Sequence, residues 1–401
     1  MNKTVAILGA LDTKGQEFAF LKAEIEKRGC RTLVVDTGVL GDPPFTPDVP
    51  RERVALAGGA PLEDLIARQD RGEAMAVMTR GAAAVIKELY DAGKIDGVVS
   101  MGGGGGTVIA TSAMRALPVG FPKLMVSTLA SGDVSAYVGA TDITMMHSVV
   151  DVAGVNRISR RIYTNAAGAI CGMVAGEVEP GADRPLIAAS MFGNTTPAVE
   201  HARAILESAG YEVLVFHATG TGGKTMEALV ADGYIAGVLD ITTTEWADEV
   251  CGGVLSAGPH RLEAAARAGV PQVVVPGCID MCNFWARDTV PEKYRRRILY
   301  EWNPNVTLMR TTPDENQRMG EIFAEKLNQA RGPVAVLIPA RGFSQLDLEG
   351  RPFYWPEANR AFVAALKAHL RQDIPVIERD CDVNDPAFSG EAAETLLKML
   401  A

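Results

Sequence analysis

Positive charge is in short supply in this chain. Its 39 Lys and Arg residues stand against 49 Asp and Glu, a net charge of −10. That balance excludes a general nucleic-acid binder or a protein drawn to anionic membranes, since both need a positive footprint. One basic cluster, "YRRR" at 294–297, reads as a solvated helix face or a local patch. Cysteine is sparse too: six, at 30, 171, 251, 278, 282 and 381, lie scattered through 401 residues, a pattern of reduced thiols and not of a disulfide framework. The one uncharged stretch of membrane length, 97–114, is rich in glycine, serine and threonine and makes a poor spanning helix. The opening apolar run, about five residues, is too short for a signal-peptide core. A cytoplasmic location and no membrane partner are therefore expected.

What the chain does have is 47% apolar residues, 22% charged residues and 41 glycines, the composition of a globular protein too long for one core. Short β-branched runs alternate with stretches of helical periodicity, the pattern of βαβ units. The fold class expected is α/β: two Rossmann-like domains, each a mainly parallel sheet covered by helices on both faces. In the first half, strands are expected at 4–9, 32–37, 97–101 and 123–128, with helices at 15–28 and 72–92 and another after residue 106. The second half repeats the order. "PLIAASMFGNTTP" parallels the opening strand and loop, "YEVLVFHATGTGGKT" the second, "IAGVLDITTTE" the third and "VPQVVVPGCID" the fourth. A Gly- and Pro-containing acidic stretch at 176–185 marks the junction, dividing the chain into domains 1–180 and 185–401. A strand "PVAVLIP", a helix at 356–371, a strand "IPVIER" and a closing helix complete the second.

In open parallel sheets ligands bind beyond the carboxyl ends of the strands, and there the chemistry-bearing residues gather. The run Gly102, Gly103, Gly104, Gly105 and Gly106, followed by Thr107, stands between a strand and a helix. Ordering five glycines is costly, and backbone approach to an anion at a helix N-terminus is a compensating gain. The spacing is not the dinucleotide fingerprint, nor does a Lys-Ser/Thr pair make it a P-loop. "HATGTGGKT" comes nearer a Walker A loop through Gly223, Lys224 and Thr225, but Ala218 stands where the leading glycine belongs. Lys224 and the amides of residues 220–223 are thus candidate anion contacts. His217, at a strand end, is a candidate general base or a structural imidazole.

Asp240 and Glu245 flank "ITTT" and are candidates for a magnesium ion bridging phosphates, with helix capping the alternative for Glu245 and, more so, for Asp248. Cys278 and Cys282 lack the further ligands of a zinc site, so no metal centre is expected there. Asp280 and Ser344 are displayed just past apolar strands; Ser344 lacks the Gly-x-Ser-x-Gly elbow of a nucleophile and reads as a hydrogen-bonding group. Asp12, Thr13 and Lys14 read as a tight loop before a helix, Asp12 either capping it or touching a ligand.

Several loops taken together, "GALDTKG", "GGGGGT", "VSTLASGD", "SMFGNTTP", "FHATGTGGKTME", "PGCIDMCNFW" and "PARGFSQLDLEGRPFYWPEAN" among them, resemble the Tm-one-like ATP-binding domain family, named for a tomato mosaic virus resistance protein. The resemblance spans nearly the whole chain. It implies two Rossmann-like subdomains, ATP binding and a homodimer. In the plant member the unit is fused to a barrel resembling phosphoenolpyruvate-using enzymes, so a separate barrel enzyme of that kind is the partner it suggests here. It places the nucleotide at residues 102–107, with Asp12, Thr13, Lys14, Thr128, Ser131 and Asp133 around it, and gives His260 and the cysteines no role. The function expected is binding of ATP, with magnesium as an accompanying ion, or of a related phosphorylated ligand, in an interdomain cleft. The chain would then serve either as a catabolic enzyme for a small carboxylated or phosphorylated metabolite, with His217, Lys224, Glu245, Asp280 and Ser344 near the reacting centre, or as a nucleotide-responsive module regulating a partner enzyme.

Overall fold

A computed structural model describes residues 3–177, 181 and 183–401. The chain divides into two compact units, Met1–Pro180 and Gly181–Ala401. Residues 178–180 and 182, inside the expected junction, lie outside the described residues.

The first unit runs β1 (Thr4–Gly9), α1 (Leu11–Glu26), β2 (Arg31–Asp36), α2 (Arg51–Ala57), α3 (Leu62–Arg68) and α4 (Arg71–Asp91). It continues with β3 (Gly97–Gly102), α5 (Gly104–Arg115), β4 (Lys123–Ser127), α6 (Ser135–Val138), β5 (Thr144–His147) and α7 (Arg157–Ala175). All pairings are parallel, in the order β2-β1-β3-β4-β5. Alternate side chains of β1 leave the sheet on opposite faces. Val5 and Ile7 pack with Phe18, Leu21 and Ile170 of α1 and α7, while Ala6 and Leu8 pack with Val54, Val85 and Ile109 of α2, α4 and α5. Because both faces are covered, β1 is buried along its whole length and reads as an unbroken apolar run.

The second unit opens with β6 (Leu186–Met191), α8 (Thr196–Ser208), β7 (Glu212–His217), α9 (Thr221–Ala231), β8 (Ile235–Thr242), α10 (Glu245–Cys251), α11 (Ala264–Ala268) and β9 (Gln272–Gly277). After β10 (Met281–Phe284), β11 (Leu299–Asn303) and β12 (Val306–Arg310) come α12 (Pro313–Leu327), β13 (Val334–Pro339), α13 (Pro356–His369), β14 (Val376–Arg379) and α14 (Pro386–Leu400). The main sheet is parallel, ordered β14-β13-β9-β8-β6-β7. The sequence repeat is thus a repeat of topology: β6 stands between β7 and β8 as β1 stands between β2 and β3, and β9 follows β8 as β4 follows β3.

Three expectations need correction. Residues 11–14 are not a loop: α1 begins at Leu11, and the chain departs from helical geometry only at Lys14. The stretch after β9 is not a loop of ordinary kind either. Cys278 turns the chain with a φ of +61°, and the chain re-enters regular structure as β10, paired antiparallel to β12, which also pairs with β11. This second sheet rests on the crest of the main one: Thr244 Oγ1 donates to the Met281 carbonyl, Asn194 Nδ2 contacts Met281 Sδ at 3.7 Å, and the Thr311 amide donates to the Asp280 carbonyl. The "YRRR" cluster is no helix face: a 3-10 turn ends at Tyr294, and Arg297 reaches Glu315 and the Arg310 carbonyl. Among the described residues no helix is long and apolar enough to cross a membrane.

Candidate functional site

In the first unit the chain passes from β1 to β2 on one side and then crosses back to place β3 on the other, so a crevice opens between β1 and β3, where ligands of such sheets bind. A pocket of about 590 Å³ lies there, lined by Asp12 and Thr13 of α1, Thr37 after β2, and Gly105 and Gly106 of α5. Leu40, Leu65, Ile66, Met75, Met78 and Ile109 supply an apolar wall, and Arg71 stands at its edge. No side-chain hydrogen bond or ion pair holds Arg71 among the described residues.

The glycine run forms the end of β3, the N-cap Gly103 and the first turn of α5. None of the five adopts a positive φ. Gly102 is required by packing, since a Cβ there would lie 3.1 Å from Gly106 Cα. The other four are not. A Cβ would meet Thr128 Oγ1 at 3.7 Å from Gly103, Met75 at 3.5 Å from Gly105 and the Met101 carbonyl at 3.6 Å from Gly106, all ordinary contacts, and nothing within 4 Å from Gly104. Gly103 is the N-cap, a position where glycine is preferred to alanine, whereas Gly104, Gly105 and Gly106, each costing up to about 1 kcal/mol against alanine inside a helix, are explained neither by packing nor by φ.

The flanking residues separate into distinct roles. Thr107 is wholly buried and pinned to the Gly103 carbonyl and the Ser127 hydroxyl at 2.8 and 2.7 Å. Asp12 does not cap α1, whose N-cap is Ala10. Its Oδ2 accepts from the amides of Val39, Leu40 and Gly41 at 2.9, 2.7 and 3.3 Å, holding the loop after β2, while its Oδ1 is buried without a partner. The Lys14 ammonium donates to the Val152 carbonyl and lies outside the pocket wall. Thr128, Ser131 and Asp133 also lie outside that wall; the Thr128 amide donates to the Gly102 carbonyl, and Asp133 accepts from the Ser135 amide.

Sequence reasoning missed Asp36, which closes β2. Its Oδ1 accepts from the Leu11 and Gly38 amides at 3.0 and 2.9 Å, and Oδ2 has no partner among the described residues. Burial, and with it the charge of Asp12, raises the Asp36 carboxyl above its usual range. The signal was present as a lone acid ending an apolar run, the position from which doubly wound folds reach a ligand.

The second unit treats its glycine loop differently. Glu245 Oε1 accepts from the amides of Gly220 and Gly223 at 2.7 and 3.0 Å, so a carboxylate of the chain itself occupies the start of α9. Its Oε2 accepts from Arg261 Nε at 2.7 Å, and the Arg261 guanidinium grips Asp240 through both nitrogens at 2.6 and 2.7 Å. All three side chains are buried. Burial works against the Arg261 charge, but Asp240 and Glu245 outweigh it and hold the guanidinium firmly protonated. Here packing accounts for the glycines: a Cβ on Gly222 would lie 1.8 Å from the His217 carbonyl, and one on Gly223 2.2 Å from Glu245 Oε2. Lys224 and His217 are exposed; the imidazole lies 5.5 Å, centroid to centroid, from the Phe192 ring.

Asp280 and Ser344, 64 residues apart, meet at 2.8 Å, Ser344 Oγ donating to Asp280 Oδ2. Both are inaccessible to solvent beneath the second sheet. Burial, then the charge of Asp347, pushes the Asp280 carboxyl up to about 7. Asp347 is in turn bonded to Arg310 and Asn359. Asp248 caps no helix. It accepts from the Leu255 amide and from both nitrogens of Asn283, and burial pushes it up to about 7. Among the described residues no group of three or more His, Cys, Asp or Glu is disposed to hold a metal ion.

Comparison with known proteins adds the family. Residues 3–179 match the N-terminal domain, and residues 184–400 the C-terminal domain, of an uncharacterised protein family, UPF0261. A UPF0261 protein of Clostridium tetani is 52% identical over the whole of both chains, and one of Rhizobium meliloti 47% identical over 100% of this chain and 99% of its own. The ToMV resistance protein Tm-1(GCR237) of tomato, Solanum lycopersicum, is 40% identical over 82% of this chain and 45% of its own length. The chain belongs to the UPF0261 family.

Proposed function

We propose that the first unit binds a phosphorylated nucleotide, ATP or a close relative, in the pocket at the β1/β3 crevice. The observation that carries this reading is the glycine run: three of its residues, Gly104, Gly105 and Gly106, are bare of side chains although neither packing nor φ requires it. A ligand seated against the first turn of α5 supplies the reason, because its phosphates then face free amides and the positive end of the helix. The apolar wall of Leu65, Ile66, Met75 and Met78 suits a heterocyclic base, and about 590 Å³ falls within the usual range for small-molecule sites. The test is calorimetric titration of the full chain with ATP, ADP and AMP; absence of binding by all three sinks the reading.

Of the two roles expected from the sequence, the nucleotide-responsive module has the better support. Glu245, Asp280 and Ser344 are spent on buried internal bonds, which leaves His217 and Lys224 as the accessible members of that set. Sustained ATP hydrolysis, or turnover of a small acid, by purified protein would overturn this choice while leaving nucleotide binding in place.

A further inference from the structure

We propose that Cys30 and Cys171 of the first unit form a reversible oxidation site, closed to a disulfide by a hydroperoxide and reopened by a dithiol. Neither thiol lines the nucleotide pocket, so the site stands apart from the function proposed above.

Far apart in sequence, the two thiols meet because the turn between α1 and β2 is seated on α7. From that turn the Arg28 guanidinium donates to the Thr164 carbonyl at 3.4 Å, and a Cβ on Gly168 would lie 3.8 Å from Arg28 Nε. Thr164, Gly168 and Cys171 follow one another along a single face of α7. Cys171 Sγ lies 3.9 Å from the Ile25 carbonyl oxygen, near the end of α1. Cys30 closes the same turn, just after Gly29 with its φ of +85°, and packs against the apolar cluster that contains Cys171. Burial, then the adjoining Cys30 thiol, pushes the Cys171 thiol up to about 12. Cys171 is buried, whereas Cys30 is only partly so.

That asymmetry matches the two steps by which a disulfide forms. Oxidants react with accessible cysteines in electropositive surroundings, and Arg28 and Arg31 flank Cys30. With hydrogen peroxide, the Cys30 sulfur bonds to one oxygen as the O–O bond breaks, which gives a sulfenic acid and one water. The Cys171 sulfur then displaces that oxygen: the S–S bond forms, the S–O bond breaks, and hydroxide leaves with the Cys171 proton as a second water. Two electrons pass from the thiol pair to the peroxide. The other four cysteines lack this combination. Cys251 and Cys282 also adjoin one another, but both are buried, as is Cys278. Cys381 is partly exposed among acids; burial, then the charges of Asp385, Asp382 and Asp380, pushes its thiol up to about 11. A disulfide between Cys30 and Cys171 ties the α1–β2 turn to α7 and closes a long loop, which stabilises mainly by constraining the unfolded chain.

The experiment treats the full reduced chain with hydrogen peroxide, alkylates the remaining thiols before and after unfolding, and maps the peptides by mass spectrometry, with thermal melts of both forms. Wild type should lose two hydrogens and yield a cross-linked peptide joining Cys30 to Cys171. Dithiothreitol should reverse the link, and Cys251, Cys278 and Cys282 should be recovered as thiols. The oxidised chain should melt about 5 °C or more above the reduced one. Cys171→Ser, which removes the second thiol, should stop at a Cys30 sulfenic acid that dimedone captures, with no rise in melting temperature. A wild-type Cys30 that stays a thiol, or that goes on to sulfinic acid with Cys171 unmodified, overturns the proposal, as does a Cys30 cross-link between two chains. Oxidation of Cys251 and Cys282 alongside the Cys30 pair overturns it as well, since those buried thiols are reached only by unfolding. The wild-type peptide map decides the matter even if the variant does not fold.

Discussion

Glu245 Oε1 stands 2.7 Å from the amide of Gly220, in the place at the start of α9 that a phosphate oxygen takes in a nucleotide-binding loop. The loop "TGTGGKT" therefore holds an anion, but one covalently part of the chain, and the Arg261 guanidinium on its other side completes a buried ion network. The glycine run of the first unit, at the start of α5, follows a different strand of the repeat and has no such internal occupant among the described residues.

Removing the central cation of that network should be severe. Arg261→Leu leaves Asp240 and Glu245 buried without a counter-charge, and breaking a buried pair from one side costs roughly 3–5 kcal/mol. Urea unfolding of the full chain should show the loss; a change under about 1 kcal/mol would mean that the network is not what holds this loop.

The two glycine loops should respond to alanine with opposite signs. Gly104→Ala meets nothing within 4 Å and should stabilise the folded chain by about 0.4–1 kcal/mol while weakening nucleotide binding. Gly223→Ala drives a methyl to 2.2 Å from Glu245 Oε2 and should destabilise by roughly 1–3 kcal/mol, the usual penalty of overpacking. Thermal melts with and without ATP separate these outcomes; tighter ATP binding by Gly104→Ala would contradict the proposed seat of the phosphates.

Arg71 should matter to the ligand and not to the fold. It is exposed on the pocket edge, so Arg71→Met should leave stability within about 0.5 kcal/mol and weaken ATP binding about tenfold, or roughly 1.4 kcal/mol. The expected contrast is with adenosine, whose binding the variant should leave unchanged.

Asp248 gives the fold a pH dependence of definite sign. Its carboxyl rises from 3.8 unfolded to about 7 folded, so between those values the folded chain holds the extra proton. Stability from this group is complete below pH 4, falls as pH rises at up to about 1.4 kcal/mol per unit, and levels off above pH 7. Asp248→Asn keeps an acceptor for the Leu255 and Asn283 amides, and its NH2 can meet Asn283 Oδ1, which lacks a partner, once that side chain flips. Relative to wild type the variant should therefore gain about 1–3 kcal/mol between pH 5 and pH 8. A constant difference across that range in chemical denaturation would show that Asp248 titrates normally.

Much of this was legible in the chain. Strands such as β1 and β9, covered on both faces, announce themselves as short apolar runs, and the repeat of four strand-loop segments carried the shared strand order. Asp280 and Ser344, chosen only because each follows an apolar strand, proved to be hydrogen-bonded to one another. The second sheet was not legible: "MCNF", "LYEWN" and "VTLMR" are only four or five residues long and carry too little alternation to stand out from loop. Nor could residue types tell the two glycine loops apart. What a missing side chain makes room for, a neighbouring carbonyl at Gly222 or open space at Gly104, exists only once the chain has folded. Arg261 escaped notice for a similar reason, since its partners come from α9, β8 and α10.

The carboxylate of Glu245 is a tethered guest. Its local concentration is set by the fold, so its seat at the head of α9 stays filled whatever the composition of the surrounding solution. On the proposed function, the pocket of the first unit has a guest that comes and goes, and only that half of the molecule would gain stability in proportion to the logarithm of ligand supply. One chain thus carries two α/β units, one with a glycine loop whose occupancy is inherited and one whose proposed occupant would report on the cell.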